Sequence, residues 1–135
     1  MRYDYFIASR FRNKQAVLEL TRLLREKGKT VYCFVEDYDE VSTPEEYMQT
    51  FENTPDWKNA PVVREMFEKD MTALRNSDTL ILLLPAGKSA HVEAGAAYGM
   101  GKKCIVIGEQ KEAESLYLIF NEFFTSSEEF IKTLN

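Results

Sequence analysis

Asp70, Glu93 and the run Gly87-Lys88-Ser89 are the groups in this sequence whose types and positions could do chemistry. The two carboxylates can carry a proton or meet a developing positive charge, and the basic, glycine-bearing turn can hold an anion. Pro61 opens a helical pattern with an apolar stripe at Val63, Met66, Phe67, Met71 and Leu74, and Asp70 falls within that stripe. A buried unpaired charge is expensive, so Asp70 must either meet a donor or border a cavity. A functional acid and a salt-bridged acid at the stripe's margin satisfy that demand equally. Glu65, Glu68 and Lys69 fall on the outer face and read as solvated surface.

Gly87-Lys88-Ser89 has the ending of a phosphate-binding P-loop, but that motif needs a glycine five residues before Gly87, where Leu82 stands inside a strand. What remains is Ser89 as an N-cap, with Lys88 beside it and the first amides of a helix aimed at the strand ends. Glu93 follows one turn later, where the helix dipole alone accounts for many glutamates. Its neighbours Ala90, Ala94, Ala97 and Gly99 are too small to cover it, which suits a bound ligand and suits tight packing on a sheet just as well. His91, the only histidine, fits no triad or metal set and is either a ligand contact or a partly exposed structural residue.

Period and punctuation give the elements that must position these groups. Residues 3–8 are aromatic and β-rich, and Ser9-Arg10 ends them as a loop. Val17, Leu20, Leu23 and Leu24 recur at helical spacing from about residue 13, closed by Gly28. Residues 30–35 form a second strand. Glu36, Asp37, Asp39 and Glu40 then cluster around Tyr38, without the pattern of a calcium loop. Thr43-Pro44-Glu45-Glu46 starts a helical insertion over the strand ends, in which Tyr38 and Trp57 could stack on a planar ligand or cover a sheet edge. The helix from Pro61 runs to about residue 76. A continuous apolar strand at 79–84 stops at Pro85, and a small-residue helix at 89–101 precedes a strand at 103–107. Residues 116–125 hold a short fifth strand, and 126–134 a capped terminal helix with Phe130, Ile131 and Leu134 inward. This alternation implies an α/β domain over 1–135 with a parallel sheet, whose ligand crevice lies at the strand carboxyl ends, in the loops after Ala8, Val35 and Leu84.

Composition excludes several classes. With 22 acidic against 17 basic residues and a net charge of -5, the chain has the wrong sign for polymeric nucleic acid. No apolar run reaches the roughly 18 residues of a membrane span, and no secretory signal pattern opens the chain, so a cytoplasmic protein is expected. Cys33 and Cys104 lie in apolar segments and read as reduced core thiols, and no metal or cofactor site is expected.

The line Asp70-Met71-Thr72-Ala73-Leu74-Arg75-Asn76-Ser77-Asp78, the strand to Leu84-Pro85, and Ser89-Ala90-His91-Val92-Glu93-Ala94-Gly95 together resemble the nucleoside 2-deoxyribosyltransferase family. Tyr5-Phe6-Ile7-Ala8-Ser9-Arg10-Phe11 is similar to that family's first strand and loop, so the resemblance covers nearly the whole chain. It implies a flavodoxin-like three-layer sandwich with about five parallel strands. It further implies a small-molecule nucleoside or nucleotide substrate and a homo-oligomer whose neighbouring chains complete the sites. Glu93 would be the nucleophile toward the sugar carbon, Asp70 the group that moves a proton or places the base, and Tyr5 the first-strand tyrosine of the site. Ala8, Ser9, Arg10, Phe11, Gly87, Lys88, Ser89 and His91 would contact substrate. Lys88 and His91 depart from the small, glycine-containing stretch usual before the nucleophile. Lys88 beside a helix N-terminus suits a 5′-phosphate, as in family relatives that hydrolyse nucleoside monophosphates.

The expected chemistry is cleavage or exchange at an N-glycosidic bond, with Glu93 meeting positive charge at the anomeric carbon and Asp70 serving the departing base. Two alternatives stand beside it: a nicotinamide-nucleotide glycohydrolase, and a nucleotide-sensing module without turnover. A response-regulator receiver is disfavoured, because Leu84-Pro85 stands where a phosphate-accepting acid would be needed.

Overall fold

The structure is a computed structural model and describes residues 1–37 and 53–135. Five strands, β1 (Tyr3–Ala8), β2 (Val31–Cys33), β3 (Ser77–Leu83), β4 (Lys103–Ile107) and β5 (Glu122–Phe124), form one sheet. Every neighbouring pair is parallel, in the order β2-β1-β3-β4-β5. Among the described residues the α-helices are α1 (Lys14–Glu26), α2 (Pro61–Arg75), α3 (Lys88–Gly99) and α4 (Ser127–Ile131). This is the flavodoxin-like order, and its switch point lies between β1 and β3, where the chain reverses its direction across the sheet.

Strand alternation builds two cores. Phe6, Ala8, Tyr32, Leu80, Leu82 and Val106 point to one face, where Ala73 and Leu74 of α2 and Ala90, Ala94 and Ala97 of α3 cover them. Ile7, Val31, Ile81, Ile105 and Ile107 point to the other, beneath Val17, Leu20 and Leu24 of α1 and Phe130 of α4. Covering on both faces is why β3 and β4 read as continuous apolar runs. Each fully buried leucine or isoleucine contributes about 1.5–3 kcal/mol against the entropy of ordering the chain.

Several expectations are corrected. The second strand ends at Cys33, and Phe34–Asp37 is a 3-10 turn. In the C-terminal region Ser115–Ile119 is likewise a 3-10 turn, leaving only Glu122–Phe124 as strand. Helix α3 begins at Lys88 with Gly87 as its N-cap, because Gly87 takes the extended entry conformation and its carbonyl accepts the His91 N–H at 3.2 Å. Ser89 therefore lies inside the first turn rather than capping it. The stripe of α2 meets the sheet only near its C-terminal end, at Ala73 and Leu74, and Phe67 is 56% exposed. Trp57 is also exposed. Tyr38, Asp39, Glu40 and the expected helix from Thr43 lie outside the described residues. Cys33 and Cys104 are free and buried, as expected.

The loop after β3 is clamped from both sides. The Ser9 hydroxyl donates to the Leu83 carbonyl at 2.8 Å and accepts from Asn13 Nδ2 at 3.1 Å. On the β4 side, the Leu84 N–H donates to the Ile107 carbonyl at 2.8 Å. Gly108 turns there with φ +118°, and a Cβ at that position would stand 2.8 Å from Leu84 Cβ, so only glycine fits.

Candidate active site

Helices α2 and α3 lie over the same face of the sheet, and each turns one acid toward the other. Asp70 is half-buried on α2, and its Oδ1 accepts a hydrogen bond from the Tyr32 hydroxyl at 3.1 Å. Glu93 is half-buried beside the alanine stripe of α3. Burial, and then the nearby Asp70 charge, push its carboxyl up to about 8. Glu93 is thus neither the exposed, dipole-favouring residue of a first turn nor an ordinary carboxylate. At neutral pH it holds a proton next to a second acid, and such an arrangement can pass a proton and leave a nucleophile behind.

The small residues of α3 divide by face. Ala90, Ala94 and Ala97 are buried and give the helix its close approach to the sheet. Gly95 and Gly99 meet nothing where a side chain would begin, so they leave the outer surface of α3 low.

Ala8 is buried at the end of β1, and Ser9 is buried with its hydroxyl engaged in the loop clamp. Arg10 is exposed, and its Cβ lies 3.8 Å from where a Gly87 Cβ would stand, which sets it at the entrance of α3 beside exposed Lys88 and Ser89. The amides of that first turn have no side-chain cap.

Three residues expected at the site lie elsewhere. Tyr5 shares the parity of Ile7, so its ring points to the opposite face of the sheet, 5.8 Å from the Phe130 ring. There burial, with Asp4 and Glu122, raises its phenol. Phe11 is turned into the core beneath α1. His91, two positions before Glu93 and hence roughly 200° around the helix, projects to the other side of α3. Its Nδ1 lies 2.8 Å from the Gly87 carbonyl and its Nε2 3.4 Å from the Tyr117 hydroxyl. It borders a separate groove of about 370 Å³ with Leu84, Pro85, Ala86 and Tyr117.

Tyr32 was absent from the sequence expectations. Its signal was available: a tyrosine in an apolar strand needs a partner for its hydroxyl, and Asp70 in an apolar stripe needs a donor. Among the described residues, no cluster of three His, Cys, Asp or Glu side chains is placed to hold a metal, and no helix is long and apolar enough to cross a membrane.

Sheet order and the two interacting acids define a flavodoxin-like α/β protein with a pair of carboxyls in one helix layer. Comparison with solved structures narrows the fold further. A 2-deoxyribosyltransferase from Bacillus psychrosaccharolyticus superposes with a TM-score of 0.67 at 18% identity, covering 94% of this chain and 89% of that one. A CMP N-glycosidase from Clostridium botulinum superposes with a TM-score of 0.58 at 21% identity, covering 96% and 94%. The chain therefore has the fold of these enzymes. No family model and no curated protein matches it.

Proposed function

We propose that this protein is an enzyme that cleaves or exchanges the base at the N-glycosidic bond of a nucleoside or nucleoside 5′-monophosphate, with Glu93 as nucleophile. The observation that carries this reading is the pairing of Glu93, its carboxyl pushed up to about 8, with the nearby charge of Asp70. The fold shared with a deoxyribosyltransferase and a CMP N-glycosidase supports it.

The free pair holds its proton on Glu93. Transfer of that proton to Asp70 leaves Glu93 as the carboxylate that faces C1′ and makes Asp70 the acid. As the C1′–N bond breaks, its electron pair leaves with the base, Asp70 protonates the base, and a Glu93 oxygen forms the bond to C1′. Water or a second base then attacks C1′, releases Glu93 and returns its proton to the pair. The choice between these acceptors separates hydrolase from transferase.

Arg10 and Lys88 flank the uncapped amides at the α3 N-terminus, an arrangement suited to a 5′-phosphate. Exposed Val92, Tyr98, Leu116 and Leu118 favour a homo-oligomer, and buried free thiols suit the cytoplasm. The test is incubation with nucleosides, deoxynucleosides, their monophosphates and nicotinamide dinucleotide, with and without a second free base, following base release by chromatography. Base release from a nucleoside or monophosphate supports the proposal. Release only of nicotinamide moves the activity to a glycohydrolase, and thermal shifts without any product make the protein a sensing module.

A further inference from the structure

Tyr32 occupies the middle of β2, paired with Phe6 of β1 on the face that carries Asp70 and Glu93. Its ring is fixed from two sides. It stacks on Phe6 with centroids 5.1 Å apart and planes at 24°, and it meets Tyr3 edge-on at 5.6 Å. The residue is only 8% exposed, so the hydroxyl is carried on a ring with no room to swing. That hydroxyl stands 3.1 Å from Asp70 Oδ1.

We propose that Tyr32 is a positioning residue for the two-carboxyl site, its hydroxyl fixing Asp70 in the ionised form that faces Glu93. This rests on the reading of the site given above. A phenol donating to a carboxylate makes a charge-assisted bond that favours the ionised acid. The ionised Asp70 in turn disfavours ionisation of Glu93, which keeps the shared proton on Glu93 until substrate arrives. Among the described residues, the titratable or charged groups near this pair include Tyr3 on β1, Glu93 on α3, and the Met1 amino group with Glu68 and Lys69 of α2, which line a groove with Tyr32. Exchanging Tyr32 for phenylalanine keeps the aromatic stack and removes the donor alone.

The test combines a titration with kinetics on the full chain. In protein labelled with 13C at the aspartate carboxyls, Tyr32→Phe should raise the Asp70 midpoint by about 1 pH unit. With a substrate the wild type turns over, the same change should lower kcat about 10-fold and alter KM less than about 2-fold, with the melting temperature held. In an Asp70→Asn background it should leave residual turnover unaltered, as two members of one interaction require. As a readout that does not depend on the Tyr32 variant folding, Asp70→Asn should lower the Tyr32 phenol midpoint in the 13C spectrum. An unmoved Asp70 midpoint in Tyr32→Phe, or an unmoved Tyr32 midpoint in Asp70→Asn, overturns the proposal. If the wild type releases no base from any substrate, the catalytic reading fails by itself, and the two midpoints still decide whether Tyr32 positions Asp70.

Discussion

Asp70 and Glu93 stand on adjacent helices over one face of the sheet, and the charge of the first adds to burial in holding a proton on the second. A carboxyl with its midpoint at about 8 is a proton reservoir at neutral pH.

Asp70→Asn should lower the Glu93 midpoint, since it removes the charge that disfavours the ionised form. The midpoint should stay above the ordinary carboxyl value, because burial is the larger cause. A 13C-detected titration of the glutamate carboxyls measures it. An unchanged Glu93 midpoint would mean that the two acids do not sense one another.

Glu93→Gln should change the pH dependence of folding. A raised folded-state value means that the stability associated with Glu93 is fully present below its unfolded value of 4.5 and is lost as pH rises through about 8. The wild type should therefore weaken across that window, by on the order of a few kcal/mol reduced by partial exposure. The glutamine variant should lack this slope, so its melting temperature should exceed that of the wild type by more at pH 9 than at pH 5. Parallel curves would refute the burial of an acid there.

Tyr5→Phe should leave turnover and substrate affinity within about 2-fold of wild type, because the side chain packs against Phe130 on the far face of the sheet. A loss of 10-fold or more at constant melting temperature would place Tyr5 back in the site.

Much of this was legible in the sequence and some was not, for identifiable reasons. The parallel sheet followed from the two continuous apolar runs that became β3 and β4, whereas it was the family resemblance that implied one site for Asp70 and Glu93. The face of the sheet on which Tyr5 lies did not follow. Adjacent Tyr5 and Phe6 differ only in parity, and parity acquires a direction only once the register Phe6 with Tyr32 is known. Tyr32 and Asp70 each called for a partner, but only the register sets them on the same face. Phe67 misled because its spacing is that of a buried stripe, while only the C-terminal end of α2 lies on the sheet. Ser89 misled because a serine is the commoner cap, whereas here Gly87 makes the turn and leaves the first amides uncapped.

Gly108→Ala should destabilise the protein by about 1–3 kcal/mol, since it imposes a left-handed conformation on a residue with a Cβ and drives that atom into Leu84. Turnover should fall as well, because Leu84 leads into α3 and Glu93. Thermal melts and base release on the same preparation check both effects, and a melting temperature equal to wild type would contradict the tight approach.

Lys88→Ala should weaken binding of a nucleoside monophosphate by about 10-fold and of the matching nucleoside less than about 2-fold, because only the former carries the anion. Calorimetric titration with both ligands distinguishes them, and equal losses would remove the phosphate from this end of α3.

The most direct measurement is to incubate the wild type and Glu93→Gln with a 2′-fluoro nucleoside and its monophosphate, then map the digested peptides by mass. The wild type should release base and carry a fluorosugar adduct on the peptide that contains Glu93, and the glutamine variant should do neither. Base release with an unmodified Glu93 peptide, or equal release by the variant, would contradict it.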